Sequence, residues 1–260
     1  MLVRALLGLV CAVCVALAAR RTRSLSRGGA ATAAVIGTLA VAAGWDWGAL
    51  LIIYFASSTA LSHWGRATKE KLTGSIVAKG GERDAVQVLA NGALFAGAAL
   101  AMIVQPDVRW VALGVGSLAA SAADTWATEV GTLYGGQPRS ILTWKTVPIG
   151  TSGGVSLFGT AAGVWGAAFI ALVVVLLGSA LDVGSDVALG GIAGAVLDSL
   201  LGATVQARRW CASCQRETER QIHDCGTPTQ RRRGLPWLDN DLVNFISSAG
   251  GGLLAALLAR

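Results

Sequence analysis

Charge is what this 260-residue sequence has least of. Asp, Glu, Lys and Arg make up 14% of it, where a soluble domain carries about 25%. Hydrophobic residues make up 53%, and apolar runs of near-spanning length recur along the whole chain. An ordinary soluble domain is excluded; an all-α, polytopic integral membrane protein is expected. Familiar nucleotide and hydrolase signatures are missing too. There is no Gly-x-x-x-x-Gly-Lys-Ser/Thr, no protein-kinase catalytic loop and no His-Glu-x-x-His. Any nucleotide chemistry here therefore needs a membrane-embedded architecture. The basic cluster Arg20, Arg21 and Arg23 follows the first apolar run, 2–19, whereas a cleavable signal peptide carries its basic residues ahead of the run. The run reads as a retained anchor. With no exact internal repeat and no low-complexity linker, residues 1–260 read as one transmembrane domain.

About eight spans are expected, at 2–19, 29–44, 47–62, 85–104, 109–131, 154–178, 187–206 and 242–259. The connections 20–28, 63–84, 132–153 and 207–241 hold 18 of the 21 Lys and Arg residues; all other regions hold three, Arg4, Arg109 and Arg260. This alternation places those connections in the cytoplasm and both termini outside, in the cell's inner membrane. The same distribution turns the net charge of +6 away from nucleic acid as a partner and towards membrane lipids. The opposite loop, 179–186, carries Asp182 and Asp186. Residues 207–238, polar and rich in arginine, form a cytoplasmic Cys/His-containing loop between the last two helices. The 34 glycines suit close helix packing as well as anion-cradling loops. The lipid setting also admits a homo-oligomer.

The polar residues are scarce but not scattered. Lys69 and Lys71 follow the third span. Residues 80–92, with Arg83, Asp84, Gln87 and Asn91, enter the fourth. Asp124, Thr125, Thr128 and Glu129 lie towards the inner end of the fifth, paired at i, i+4 on helical faces. Lys145 and Pro-Ile-Gly-Thr-Ser-Gly-Gly-Val-Ser (148–156) lead into the sixth. Asp198, Ser199, Thr204 and Gln206 lie near the inner end of the seventh, and Asp239, Asn240, Asp241 and Asn244 enter the eighth. All fall in the cytoplasmic half, which predicts one polar site there. Carboxylates at membrane depth are costly and need partners or a wet cavity. Asp and Asn at helix starts also cap helices, and polar residues also glue helices together; both are the plainer alternatives.

Two constellations suggest ligands. Gly150, Thr151, Ser152, Gly153 and Gly154 form a glycine-rich string at a helix start, where free amides and the helix dipole attract anions; Arg139 and Lys145 lie just upstream. A plain turn is the alternative. Asp124, Glu129, Asp198 and Asp241 offer the hard oxygens that suit Mg²⁺, the usual companion of phosphates. Separately, Cys211 and Cys214, followed by His223 and Cys225, give four soft ligands within 15 residues, a set that suits tetrahedral Zn²⁺. The His-x-Cys half is shorter than usual finger spacing, and unliganded thiols are the alternative. Cys11 and Cys14, in the first span, are expected to pack as small apolar residues. His63, beside Trp64 at a membrane interface, is expected to be unremarkable.

These strings resemble a known family. Glu-Arg-Asp-Ala-Val-Gln-Val-Leu-Ala-Asn-Gly, Ala-Asp-Thr-Trp-Ala-Thr-Glu-Val-Gly, Pro-Ile-Gly-Thr-Ser-Gly-Gly-Val-Ser, Leu-Asp-Ser-Leu-Leu-Gly-Ala-Thr-Val-Gln and Asn-Asp-Leu-Val-Asn-Phe are similar to those of integral membrane proteins that include plant phytyl-phosphate kinase, long classed as a domain of unknown function. The similarity runs over nearly the whole chain, and the Cys/His segment is part of it. Thr128 and Val130 stand where Ser and Leu are more usual. The resemblance implies a kinase that transfers a phosphoryl group from a nucleoside triphosphate, CTP by analogy, to a prenyl monophosphate such as phytyl, geranylgeranyl or farnesyl phosphate. It also implies distant kinship with dolichol kinase, phytol kinase and CDP-diacylglycerol synthase. On that reading Asp124, Glu129, Lys145 and Asp198 are catalytic, and Asp124, Glu129, Asp198 and Asp241 hold Mg²⁺. Arg83, Asn91, residues 150–154, Asn240 and Asn244 bind nucleotide and phosphates. A lipid-alcohol kinase or a CDP-lipid cytidylyltransferase on the same architecture is the alternative enzyme, with Asp124 or Asp198 as base. A transporter is the alternative of a different class, and the nearly bare outer half weighs against it.

Overall fold

The computed structural model describes residues 2–178 and 183–260. Its axis is α6 (Val108–Tyr134), in which Val111 to Ala123 are all buried. That stretch is Ala, Gly, Val, Leu and Ser, apolar or small on every face, and a helix of that kind is stable only when sheathed on all sides. The sheath is α3 (Trp45–His63), α5 (Ala85–Val104), α7 (Leu157–Leu176), α8 (Gly184–Thr204) and α9 (Asn240–Leu258). Small residues set how closely they approach. Gly191 faces Ala119 and Ala167, and Gly194 faces Ala120. A Cβ on Gly251 would stand 2.6 Å from the carbonyl of Gly190, so α8 and α9 touch backbone to backbone.

Outside this core, α1 (Leu2–Arg21) packs on α2 (Arg27–Ala43), and α2 packs on α3 and α5. Much of α1 stays exposed, with Leu2, Val3, Leu6, Leu7, Val10 and Leu17 facing outward, as suits a helix against lipid. Cys11 and Cys14 are exposed on it as well, which corrects the expectation that they pack in a core. The turn after α1 is tied down. The Arg83 amide donates to the Ser24 carbonyl at 3.0 Å, and the Ser26 amide donates to the Arg83 carbonyl at 3.0 Å. Ser26 caps α2 through the Gly29 amide.

Each expected span falls on a helix, with ends moved by a few residues. Asp182 lies outside the described residues. Among the described residues, five helices (α1, α5, α7, α8 and α9) are long and apolar enough to cross a membrane, and α2 is apolar but shorter. This is fewer than the eight crossings expected. The physical reason is that α6 is wrapped by other helices and carries Asp124 and Glu129, while α3 ends in hydroxyls and His63; neither needs an apolar exterior along its whole length.

Six shorter elements, one helix and five strands, sit where the sequence suggests only loops. Helix α4 (Arg66–Thr73) follows α3. Strands β1 (Arg139–Ser140) and β2 (Gly154–Val155) pair antiparallel. Strands β3 (Arg208–Cys211), β4 (Arg216–Thr218) and β5 (Gln230–Arg233) form an antiparallel sheet in the order β4-β3-β5, within the 207–238 segment between α8 and α9. This sheet docks on the segment after α4: the Glu219 amide donates to the Ile76 carbonyl at 2.8 Å, and Arg220 Nε donates to the Val77 carbonyl at 2.9 Å. Arg233 donates to the Ala203 carbonyl at 2.6 Å, satisfying the open end of α8.

Candidate functional site

At the end of the bundle where α3, α6 and α8 finish and α5, α7 and α9 begin, a cavity of about 710 Å³ opens. The polar residues that cluster along the sequence come together here. Asp124, Thr125, Thr128 and Glu129 of α6 line it, as do Asp198 and Ser199 of α8, Asn240, Asp241 and Asn244 of α9, Arg83, Asn91, and the whole 150–154 string. Helix C-termini supply most of the carboxylates. Three helix N-termini, those of α5, α7 and α9, face the same space and lend it partial positive charge.

The four carboxylates differ in their partners. Glu129 accepts the Ser62 hydroxyl at 2.6 Å and is ion-paired with the buried Lys69. Lys69 also donates to the carbonyls of Leu61 (2.7 Å) and Ser62 (3.1 Å), so its three donors are all used. Short α4 exists to deliver this lysine: its amphipathic turn buries Lys69 and leaves Lys71 exposed. Asp241, buried at the first turn of α9, pairs with Lys79 at 2.5 Å, and Lys79 reaches Asp84 at 2.8 Å. Burial works against charge on Lys79, but hydrogen bonds to Asp241 and Asp84 outweigh it and raise its pKa. Burial likewise opposes charge on Asp84, yet Lys79 and the capping amide of Gln87 hold its carboxyl below the usual range.

Asp124 and Asp198 are different. Among the described residues no basic side chain pairs with either. Asp198 accepts the Ser247 hydroxyl at 2.8 Å and, with the Asn244 amide turned to donate, a second bond at 3.1 Å. Asp124 sits within electrostatic reach of both Asp198 and Glu129. Both therefore lie in the cavity without a basic partner among the described residues, the setting in which a carboxylate at membrane depth is costly.

The glycine string is built as a close-packed elbow. Gly150 and Gly153 have positive φ (87° and 75°), and a Cβ on Gly153 would fall 2.5 Å from that of Ala203, so neither position accepts a side chain without strain. The amides of Thr151 and Gly154 bond within the loop, to Pro148 and Thr151. Ser152 donates to Glu219 at 2.5 Å, and its carbonyl accepts Arg208. The string therefore packs on the last turn of α8. The first turn of α7, with Ser156, Gly159 and Thr160, lines the cavity beside it.

Lys145 does not reach the cavity. The 139–146 segment turns tightly, with Trp144 in a left-handed conformation (φ 55°), so Trp144 takes the inward position while Lys145 is exposed. The capping alternative holds for two acids: Asp84 makes a capping box with Gln87, and Asp239 caps α9 through the Leu242 amide at 3.0 Å. His63 is more than an interface residue; it lines the cavity and bonds Ser24 at 3.0 Å.

Sequence reasoning passed over several lining residues. Lys69 was visible only as a lysine after the third span, Lys79 only as a loop charge, and Glu219 and Arg220 only as part of the Cys/His loop. Glu219 is held by Ser152, by the Gln206 amide (2.7 Å) and by the Ala78 amide (3.3 Å); burial pushes its carboxyl up against those bonds. A Glu between the Cys-x-x-Cys and the His-x-Cys, with Glu217 two residues before it, carries no local sign of this. Cys211, Cys214, His223 and Cys225 do come together, outside the cavity lining, with ligand atoms all within 4.8 Å of one another.

A family model described as integral membrane protein DUF92 matches residues 10–252. Protein PGR of Arabidopsis thaliana is 29% identical over 256 residues, covering 87% of this chain and 86% of that protein. Protein VTE6, chloroplastic, of the same plant is 30% identical over 249 residues, covering 91% of this chain and 66% of that protein. The uncharacterized membrane protein MJ0933 of Methanocaldococcus jannaschii is 29% identical over 249 residues, covering 95% and 91%. No solved structure matches the chain. The family match takes in every residue named above as lining the cavity, and the chain belongs to the integral membrane protein DUF92 family.

Proposed function

We propose that this protein is a CTP-dependent kinase for a membrane-embedded prenyl monophosphate, releasing the prenyl diphosphate and CDP. The observation that carries the reading is the pair Asp124 and Asp198, without basic partners, set among cations and three helix N-termini in one cavity. The similarity of the five sequence strings to the family of phytyl-phosphate kinase supports the choice of acceptor and donor.

The chemistry asks little of a base. A phosphate monoester is largely a dianion at neutral pH, so an acceptor oxygen can attack the terminal phosphorus of the nucleotide directly, and the bond to the β-phosphate oxygen breaks. The barrier is repulsion between two anions, and catalysis is mostly positioning and charge neutralisation. Mg²⁺, which the donor set of Asp124 and Asp198 with Asn244 beside them fits, supplies charge neutralisation at the phosphates when bound. Lys79, Arg83 and Arg220 line the cavity and hold phosphate oxygens on this reading, with Asp241 keeping Lys79 in place. Lys69, whose donors are all used, ties Glu129 to the end of α3.

The tail has a place as well. A smaller apolar groove of about 100 Å³ lies among α1, α2, α3 and α5, walled by residues such as Ile36, Val41, Leu51 and Phe55. Tyr54, Arg83, Gln87 and Asn91 line both it and the polar cavity. A lipid phosphate would keep its head among the cations and its prenyl chain in the groove, with the head at the cytoplasmic interface.

A second reading draws on the same pair. A carboxylate free of cations suits a general base, which an alcohol acceptor requires, so a lipid-alcohol kinase remains the alternative. The deciding experiment is phosphoryl transfer by purified protein in detergent with Mg²⁺. CTP, ATP, GTP and UTP are each offered with phytyl, geranylgeranyl and farnesyl monophosphates and with the matching alcohols. Diphosphate formed from a monophosphate, with CTP preferred, supports the proposal. Product from the alcohols alone moves the assignment to the second reading.

A further inference from the structure

We propose that Cys211, Cys214, His223 and Cys225 bind one structural zinc ion, and that this ion clamps the β3-β4-β5 sheet, which braces the glycine string at the cavity wall. Cys211 ends β3, Cys214 lies in the turn to β4, and His223 and Cys225 lie in the connection to β5. The turn is tight, with Gln215 in a left-handed conformation (φ 49°). Four ligand atoms from these separate positions lie within 4.8 Å of one another. Cys211 Sγ and Cys225 Sγ are 3.6 Å apart, and His223 Nδ1 is 3.3 Å from Cys225 Sγ. Zinc–sulfur bonds of about 2.3 Å in a tetrahedron put sulfurs about 3.8 Å apart, close to what is seen. His223 is buried at 5% exposure, with Nδ1 the ring nitrogen that lies beside the Cys225 sulfur. Three thiolates and an imidazole complete the coordination shell of Zn²⁺, which marks a structural site with no open position for water.

The sheet is small, and few apolar side chains lie beneath it; Cys211, Thr218 and His223 are its buried residues along with Arg208 and Thr229. Yet two of its residues brace the cavity wall from behind. Glu219 holds Ser152 of the glycine string, and Arg208 holds the carbonyls of Ser152 and Gly202. A clamp on the sheet thus fixes the elbow that closes the cavity. This proposal stands whichever substrate the cavity takes.

The test is metal analysis of the full-length protein purified in detergent without chelators. One zinc per chain is expected, lost in the Cys211→Ser/Cys225→Ser variant and kept in Cys11→Ser/Cys14→Ser. Because the first variant may not fold, the wild-type protein is also stripped with chelator and refilled with Co²⁺, which should give the visible d–d and thiolate charge-transfer bands of a tetrahedral thiolate site. Zinc well below one per chain with no cobalt bands, another metal in its place, or zinc retained when Cys211 and Cys225 are replaced would overturn the assignment.

Discussion

Glu129 and Asp241 each meet a lysine, whereas among the described residues Asp124 and Asp198, in the same cavity, meet none. On the proposed function the difference divides structural acids from working ones. Lys69 and Lys79 come from α4 and the segment after it, so their pairs pin the loop side of the cavity to α6 and α9. A half-buried ion pair of this kind contributes little beyond its desolvation cost, but breaking it leaves a stranded charge. The unpaired carboxylates have no such duty. Keeping two like charges near each other without a cation is a standing cost, and on the proposed function it is met when a substrate brings a cation of its own.

The comparison can be strained at several points. After Asp124, the largest effect is expected at Asp198: replacing it with Asn should lower turnover on the order of 100-fold, with expression and thermal unfolding unchanged, as read by initial rates and a detergent-compatible melt. Next is Lys69. Alone, Lys69→Ala should destabilise by on the order of 3 kcal/mol, because Glu129 is left without its cation, while Lys69→Met with Glu129→Gln should recover most of that loss. Equal damage from both would mean that the pair is not structural. A smaller effect is expected at Lys79, whose side chain is 41% exposed: Lys79→Ala should cost less than about 1 kcal/mol of stability and raise the apparent KM for nucleotide several-fold. The smallest is Lys145→Ala, which should leave that KM within about twofold, since Lys145 faces away from the cavity.

Much of the site was legible because it is written in contrast. In a chain with so little charge, Asp124, Asp198, Asp241, Asn240, Asn244, Arg83 and Asn91 stand out, and all line one cavity. Long apolar runs likewise mark the eight longer helices, whose burial is set by local pattern. What the pattern does not carry is pairing over distance. Glu129 and Lys69 are 60 residues apart, and Asp241 and Lys79 are 162 apart. No local spacing shows which carboxylate a lysine will choose. Lys145 illustrates the reverse: a cation beside a glycine string looks well placed, until the turn at Trp144 sends it outward. Composition supports fewer crossings than the eight expected for a related reason. Helix α6 spends its surface on neighbours rather than lipid, so its composition says little about crossing.

The most direct measurement sets Asp124→Asn beside Asp241→Asn in the phosphoryl-transfer assay, with CTP, Mg²⁺ and a prenyl monophosphate. The account predicts that loss of the unpaired Asp124 abolishes turnover in a folded protein, while loss of the lysine-bound Asp241 leaves activity within about tenfold of wild type. Near-normal turnover in Asp124→Asn, or equal loss in the two variants, would contradict it.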